Sequence, residues 1–365
     1  MHVKVPGTAE TSYPIVIGKG LLRSVWTALD ERFSGSGRFV VTDANVQAAG
    51  LLSELLGSGD APCHVIEPAG EPSKHMATVV TIVEAMEEAG LGRDSVVIAL
   101  GGGTVGDIAG FAAAIFKRGV PVVQVPTTTL AQADSAIGGK TGVDSTVSKN
   151  AFGAFWHPAV VYIDVATLRT LDERQYRAGL VESLKHGLIA DREYFEFIDT
   201  RLDAILAREA DVLEEMARRN CAIKGRVVEE DPQERNLRRI LNYGHTVGHA
   251  VESASGYALL HGEAIAIGIA AAGLIERDVG LAEPERLDRV RAVLTKLGVP
   301  TRMPSGMADE RILDLLRHDK KAVDRWPRFV LLRSLGQVHC ENGQYAVPVN
   351  RETVEKALTI LADGS

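Results

Sequence analysis

Residues 95–106, SVVIALGGGTVG, limit the possible folds more than any other stretch of this chain. Ser95 to Leu100 is a nearly continuous apolar run with no polar alternation. Such a strand is covered on both faces, as in a parallel sheet with helices packed on either side. Gly101, Gly102 and Gly103 then form a turn, and the alanine-rich residues that follow predict a helix. A glycine turn of this kind can aim N–H groups and a helix N-terminus at a diphosphate. The pattern GGGxxGD differs from the dinucleotide fingerprint GxGxxG, so close packing of strand on helix competes with nucleotide binding. Gly106 is expected just before the helix and Asp107 in its first turn, where the helix field favours a negative charge. Arg118 is expected at the end of that helix.

The surrounding chain repeats the strand-and-helix alternation. Residues 1–19 read as an edge hairpin. Strands are predicted at 38–42, 63–66, 121–125 and 160–164, with helices at 46–56 and 77–90. Asp43 and Asn45 follow the first of these strands, and Glu71 and Lys74 follow the second. Residues 126–155 read as a long structured loop rich in hydroxyls, glycine and lysine. It carries Thr127, Thr128, Asp134, Lys140, Lys149 and Asn150, and Thr170 lies beyond it. The expectation is an α/β domain with a mostly parallel sheet over residues 1–171. A mainly helical domain is expected over residues 172–365, with helical periods at 174–188, 203–229, 263–275, 287–297, 309–316 and 351–362.

Within the helical part, NLRRILNYGHTVGHAVESASGYALLHGE (residues 236–263) is unusual for its polar residues. Arg238, Asn242, His245 and His249 are spaced 4, 3 and 4 apart, which predicts one face of one helix. His261 follows after a Ser-Gly break. A solvated face or a helix–helix hydrogen-bond network competes here with a metal site that uses His245, His261 and a carboxylate. Spacing does not name that carboxylate. Upstream, Glu182 and Lys185 stand three apart on a helix, compatible with a local ion pair. Lys224 lies near the end of the next helix, and the polar run His318, Asp319, Lys320 and Lys321 reads as a turn.

The totals restrict the function classes. The chain has 365 residues and 45% hydrophobic residues, enough for two domains with real cores. A formal net charge of -8 argues against a general binder of nucleic acid or anionic membrane, though not against a locally basic pocket. Cys63, Cys221 and Cys340 are odd in number and far apart, the expected usage of buried thiols in a reducing compartment. With no signal-peptide pattern and no run of about 18 apolar residues, the expectation is a cytoplasmic, membrane-free protein.

Several separated segments together resemble the 3-dehydroquinate synthase family of the sugar-phosphate cyclase group. They are GGGTVGDIAGFAAAIFKRG, VPTTTLAQADSAIGGKTGVD, SKNAFGAFWHP, AGLVESLKHG, LNYGHTVGHAVE, HGEAIAIG and HDKK. The resemblance implies Zn²⁺ or Co²⁺ held by Glu182, His245 and His261. It implies NAD held by Asp43, Asn45, Glu71, Lys74, Gly103, Asp107, Thr127, Thr128, Asp134, Lys140, Lys149 and Thr170. An anionic sugar-phosphate substrate would meet Lys140, Asn150, Lys185, Lys224, Arg238, Asn242, His249 and Lys320 or Lys321. Arg118 would reach the neighbouring site of a homodimer. The implied reaction converts 3-deoxy-D-arabino-heptulosonate 7-phosphate to 3-dehydroquinate and phosphate. Ser148 departs from the glycine usual before Lys149-Asn150, and AGLVESLKHG varies a familiar segment while keeping Glu182 and Lys185. Cyclases of carboxylate-free sugar phosphates, polyol dehydrogenases and a non-catalytic binding protein are the competing readings.

Overall fold

The computed structural model describes residues 12–282, 284–307, 309–317 and 326–363. The chain divides into two compact units. The first runs to Thr127 and resumes over Ser135–Thr170; the second combines Thr128–Asp134 with the chain from Leu171 onward.

The first unit holds a six-stranded parallel sheet. In chain order its elements are β1 (Ile15–Gly18), α1 (Leu22–Arg32), β2 (Arg38–Asp43), α2 (Ala44–Ala48), α3 (Leu51–Leu56) and β3 (Cys63–Ile66). Next come α4 (Met76–Glu88), β4 (Val96–Gly101), α5 (Gly103–Ile115), β5 (Val122–Pro126), β6 (Lys140–Val143), β7 (Phe152–Phe155) and β8 (Val160–Asp164). The strand order is β1-β8-β5-β4-β2-β3. Every residue of β4 is buried. Val97 and Ala99 join Phe39 and Val41 in one core, whereas Ile98 and Leu100 join Val40, Val123 and Val125 in another. This two-sided burial is why the sequence of β4 shows no polar alternation.

Four expectations change here. The described part of the N-terminal segment, β1, is no hairpin arm: it pairs parallel with β8, Ile15 facing Val161. The predicted helix over 46–56 is two short helices, because Gly50 between them is left-handed at φ 79°. Gly106 and Asp107 both lie inside α5, with no acidic residue in its first turn. The supposed loop 126–155 contains an antiparallel hairpin, β6 with β7, in which Lys140 faces Phe155.

The second unit contains α6 (Glu173–Ala190), α7 (Arg192–Leu206), α8 (Ala210–Glu230), α9 (His245–Ala254), α10 (His261–Asp278), α11 (Pro284–Leu297), α12 (Asp309–Arg317) and α13 (Arg351–Asp363). Short strands β9 (Arg328–Phe329), β10 (Leu332–Ser334), β11 (Gln337–Val338) and β12 (Val347–Pro348) lie between α12 and α13. Its core packs Val247, Val251, Ile267, Ala271 and Ile275 against Ile312, Leu316, Phe329, Val354 and Leu358. The helix expected over 203–229 is interrupted between α7 and α8, where Arg208 takes a left-handed φ of 58°. Among the described residues no helix is long and apolar enough to cross a membrane. Cys221 is buried, but Cys63 and Cys340 are exposed free thiols, contrary to the expectation of three buried ones.

Candidate active site

The predicted polar stripe does not lie on one helix. Leu237–Asn242 is a 3₁₀ turn. Tyr243 then turns extended, Gly244 is left-handed at φ 76°, and α9 starts afresh at His245. Arg238 and Asn242 therefore belong to one element, and His245 and His249 to another. The 3₁₀ turn is tied down by Asp231, whose carboxylate accepts the N–H groups of Arg235, Asn236 and Arg238 at 2.9, 2.7 and 3.1 Å. Arg238 is buried and donates to the Pro232 carbonyl at 2.8 Å, while Asn242 donates to Glu234 Oε1 at 2.9 Å.

Glu182 is a carboxylate that the fold brings to His245 and His261. It lies in α6, only 1% exposed, and Lys185 one turn on donates to its Oε2. Its Oε1 is buried with no hydrogen-bond partner. Facing that oxygen are His245 Nε2 at 3.7 Å and His261 Nε2 at 3.6 Å. Both separations are long for a hydrogen bond. They are close to the ~3.4 Å expected between ligand atoms of a tetrahedral ion with bonds of about 2.1 Å.

The other ring nitrogens are also engaged. His245 Nδ1 lies 3.1 Å from the Tyr243 carbonyl oxygen, and His261 Nδ1 lies 3.4 Å from Glu252 Oε2. A carbonyl can only accept, so His245 carries its proton on Nδ1 and turns the Nε2 lone pair toward Glu182. An orphaned buried carboxylate oxygen facing two imidazole nitrogens fits a divalent ion of the zinc type. His249 lies in the same cluster: ligand atoms of His245, His249 and His261 are all within 4.8 Å of one another.

Glycines hold these helices together. A Cβ on Gly262 would stand 1.8 Å from the Ala178 carbonyl oxygen, and one on Gly268 would stand 1.9 Å from the Gly244 carbonyl oxygen. Residue 262 follows His261, and Ala178 is one turn before Glu182. Removing the Cβ lets α10 reach α6 and α9 closely enough for the polar side chains to meet.

A second polar cluster lies beside this one on α6. Asp134, in the π-helical turn Ala131–Ser135, is 2.7 Å from Lys224 Nζ. His186 is fully buried, with Nε2 3.8 Å from Asp134 Oδ1 and Nδ1 3.0 Å from Asn220 Oδ1. The amide oxygen also accepts from Tyr194 Oη at 2.9 Å, and Asn220 Nδ2 donates to Ser183 Oγ. His186, Asn220, Glu252 and Tyr243 escaped the sequence reading. Only His186, four residues after Glu182, carried any signal there.

The charges are strongly coupled. Burial pushes Glu182 up, but Lys185 and the two imidazoles outweigh it and hold the carboxyl well below its usual range. Burial and the Lys185 ammonium hold His245 well below 6.5. Burial also pulls His261 down, yet Glu182 and Glu252 prevail and raise it to about 9. A raised histidine stabilises the metal-free fold below pH 6.5, and that contribution is lost as pH rises through about 9. Coordination requires the same proton to leave. Zn²⁺ affinity is therefore expected to strengthen from pH 7 to 9, with about one proton released per ion near pH 7 and about half a proton at pH 9. Calorimetry in buffers of different ionisation enthalpy measures that release, and a pH-independent affinity would contradict it.

In the first unit, β2 and β4 are neighbours although β3 follows β2 in the chain. This is a topological switch point, where open parallel sheets bind ligands beyond the carboxyl ends of their strands. Asp43 ends β2 and caps α2 by accepting from Val46 N at 2.9 Å, and Asn45 is in that helix. Gly103 opens α5 beyond β4, and Thr127 N donates to the Gly101 carbonyl at 2.9 Å. Lys74 pairs with Asp107 at 2.7 Å, and Lys149 with Glu71 at 2.9 Å. Gly106 serves packing, since a Cβ there would stand 2.8 Å from Gln124 Oε1. Thr170 donates to the Thr167 carbonyl, and Thr128, in the second unit, caps the turn at Ala131.

Ser148 is not in the left-handed region; the left-handed residue of its turn is Asn150 at φ 51°. Lys140 lies exposed at the start of β6. Arg118 is exposed at the end of a 3₁₀ turn after α5, rather than at the end of α5 itself, with a left-handed φ of 72°. Lys320 and Lys321 lie outside the described residues.

Comparisons with known proteins identify the family of the chain. Residues 64–178 match the family model for the 3-dehydroquinate synthase N-terminal region, and residues 179–322 match the C-terminal one. A 3-dehydroquinate synthase of Desulforamulus reducens is 44% identical over 331 residues, covering 90% of this chain and 92% of the relative. Among solved structures, a 2-epi-5-epi-valiolone synthase from Streptomyces hygroscopicus with NAD⁺ and Zn²⁺ bound superposes with a TM-score of 0.88 at 31% identity, covering 100% of both chains. A 2-deoxy-scyllo-inosose synthase complexed with carbaglucose-6-phosphate, NAD⁺ and Co²⁺ gives 0.85 at 29% identity, covering 96% of this chain and 97% of the other. With residues 64–322 matched by the two family models and a relative 44% identical over 90% of the chain, the chain belongs to the 3-dehydroquinate synthase family.

Proposed function

We infer that this chain converts 3-deoxy-D-arabino-heptulosonate 7-phosphate to 3-dehydroquinate and phosphate. The observation that carries the reading is 44% identity to a 3-dehydroquinate synthase across 90% of the chain, with the metal-facing carboxylate and imidazoles meeting in the fold. The reaction passes through oxidation of a ring hydroxyl, β-elimination of phosphate, re-reduction, ring opening and an intramolecular aldol closure. Bound NAD⁺ supplies a reversible hydride acceptor, and Zn²⁺ or Co²⁺ supplies Lewis acidity at the hydroxyl being oxidised.

Glu182, His245 and His261 are assigned to hold the ion, with Lys185 keeping Glu182 Oε1 turned toward the histidines. Asp43, Asn45, Glu71, Lys74, Gly103, Asp107, Thr127, Thr128, Asp134, Lys140, Lys149 and Thr170 are assigned to NAD; the switch-point position of Asp43 and Gly103 supports this. Arg238 with Asn242 is assigned to the substrate carboxylate, through charge-assisted hydrogen bonds. Lys140, Asn150, Lys185, Lys224 and the lysines at 320 and 321 are assigned to the rest of the anionic substrate. His249, exposed at the edge of its cluster, is assigned to carry protons. In this reading residues 1–171 bind NAD and 172–365 bind metal and substrate. Thr128–Asp134 is the exception, grouping with the second unit.

The same reading includes a homodimer in which Arg118 serves the neighbouring site. Its support is a cation held outward on a left-handed backbone, a conformation that costs energy and that recurs at functional sites. Arg118→Ala is expected to lower activity by at least tenfold. Mixing it with an inactive His245→Ala chain should restore part of the activity, since hybrid dimers rebuild one site. Activity in the mixture that stays at the sum of the parts would refute the shared site. A cytoplasmic location belongs to the reading as well, supported by exposed, unbridged Cys63 and Cys340.

The direct test supplies purified protein with Zn²⁺, NAD⁺ and the heptulosonate phosphate. Dehydroquinate and phosphate should form in equal amounts with no net NADH. Folded, metal-loaded protein that forms neither product would refute the assignment. Faster turnover of a carboxylate-free sugar phosphate would refute the role of Arg238 and Asn242.

A further inference from the structure

Glu252 has no place in the reaction as assigned above, yet it is buried beside the metal-facing residues at 6% exposure. His245, His249 and Glu252 stand at i, i+4 and i+7 along α9, so one helix face carries two imidazoles and a carboxylate. Glu252 Oε2 lies 3.4 Å from His261 Nδ1, on the side of the ring opposite Glu182. His261 is thus held between two carboxylates, one at each nitrogen.

The charge count shows what the second carboxylate adds. Glu182 is the only carboxylate assigned to the ion, and Lys185 bonds its other oxygen. Those two charges cancel, and neutral imidazoles add none. A dication beside a carboxylate as buried as Glu182 is stabilised by further negative charge nearby. We propose that Glu252 is a positioning residue for the metal centre. It keeps the Nδ1–H of His261 turned toward itself, so that the Nε2 lone pair faces Glu182 Oε1, and it contributes the negative charge that Lys185 removes. The 3.4 Å separation is long for a hydrogen bond, so the charge is the larger part of the effect. The backbone of Glu252 acts separately, since its carbonyl accepts from Ser255 Oγ and Tyr257 N at the end of α9. A side-chain substitution leaves those two bonds intact.

The proposal rests on the assignment of His261 as a ligand. Its test is the Zn²⁺ dissociation constant, measured by competition with a chromophoric chelator on the intact chain. E252Q keeps the shape and an acceptor but loses the charge, and should bind Zn²⁺ at least tenfold more weakly, in the range usual for residues that orient metal ligands. E252D keeps the charge and should stay within about threefold of wild type. Circular dichroism in the presence of EDTA should show both variants folded, which separates a metal effect from a folding defect. E252Q with wild-type affinity, or E252D as weak as E252Q, would overturn the proposal. His261→Ala separates the two levels. If it binds Zn²⁺ as tightly as wild type, the ligand assignment itself fails. If it loses Zn²⁺ while E252Q does not, the role of Glu252 alone fails.

Discussion

Alanine at His245 is expected to reduce turnover by about 10³-fold, because Lewis-acid stabilisation is worth several kcal/mol and each 1.4 kcal/mol is about tenfold in rate. His245 Nε2 is one of two imidazole nitrogens within 3.7 Å of the orphaned Glu182 oxygen. Without it, the ion keeps one imidazole and a carboxylate already bonded by Lys185. Zn²⁺ content after dialysis should fall together with activity, and NAD⁺ affinity should stay within about threefold. Retained turnover at normal zinc content would remove His245 from the metal site. Loss of NAD⁺ binding at the same time would point to a general collapse.

Gly262→Ala is the second large effect, and it touches no polar side chain. The added carbon would stand 1.8 Å from the Ala178 carbonyl oxygen, a backbone atom that no rotamer change can move aside. Overpacking typically costs about 1–3 kcal/mol, and a clash with main chain belongs at or above the upper end of that range. At roughly 2–4 °C per kcal/mol for a body of this size, the melting temperature should fall by about 6–12 °C. Zinc affinity should fall too, because relief of the clash moves the start of α10, where His261 sits, away from α6. An unchanged melting temperature with normal zinc affinity would show that the helices tolerate the separation.

How much of this was visible in the sequence depends on the kind of signal each feature leaves. The parallel sheet was legible because strands such as β4, buried on both faces, spell continuous apolar runs. The helix break at Tyr243 and Gly244 was not, because a single glycine inside an amphipathic period is usually tolerated. The break at Arg208 has no glycine or proline at all. In β6 and β7, Gly142 and Gly153 hide the alternation that marks a hairpin, and close backbone approach is what requires them. His245 and His261 stood out as a rare residue type. The Tyr243 carbonyl that orients His245 belongs to the backbone and leaves no letter in the sequence. Glu252 was an ordinary helix carboxylate until α10 brought His261 to it.

The membership of Thr128–Asp134 bears on how the chain reaches its native state. The polypeptide passes from one unit to the other three times, after Thr127, Asp134 and Thr170. Thr129 Oγ1 donates to the Tyr176 carbonyl at 2.9 Å, and Asp134 pairs with Lys224. A chain that ends at residue 170 lacks both partners. A chain grown only to that point holds a segment, 128–134, whose contacts lie in the missing part. Segment 128–134 therefore reaches its native contacts only after α6 and α8 have been made, well after the chain on either side of it.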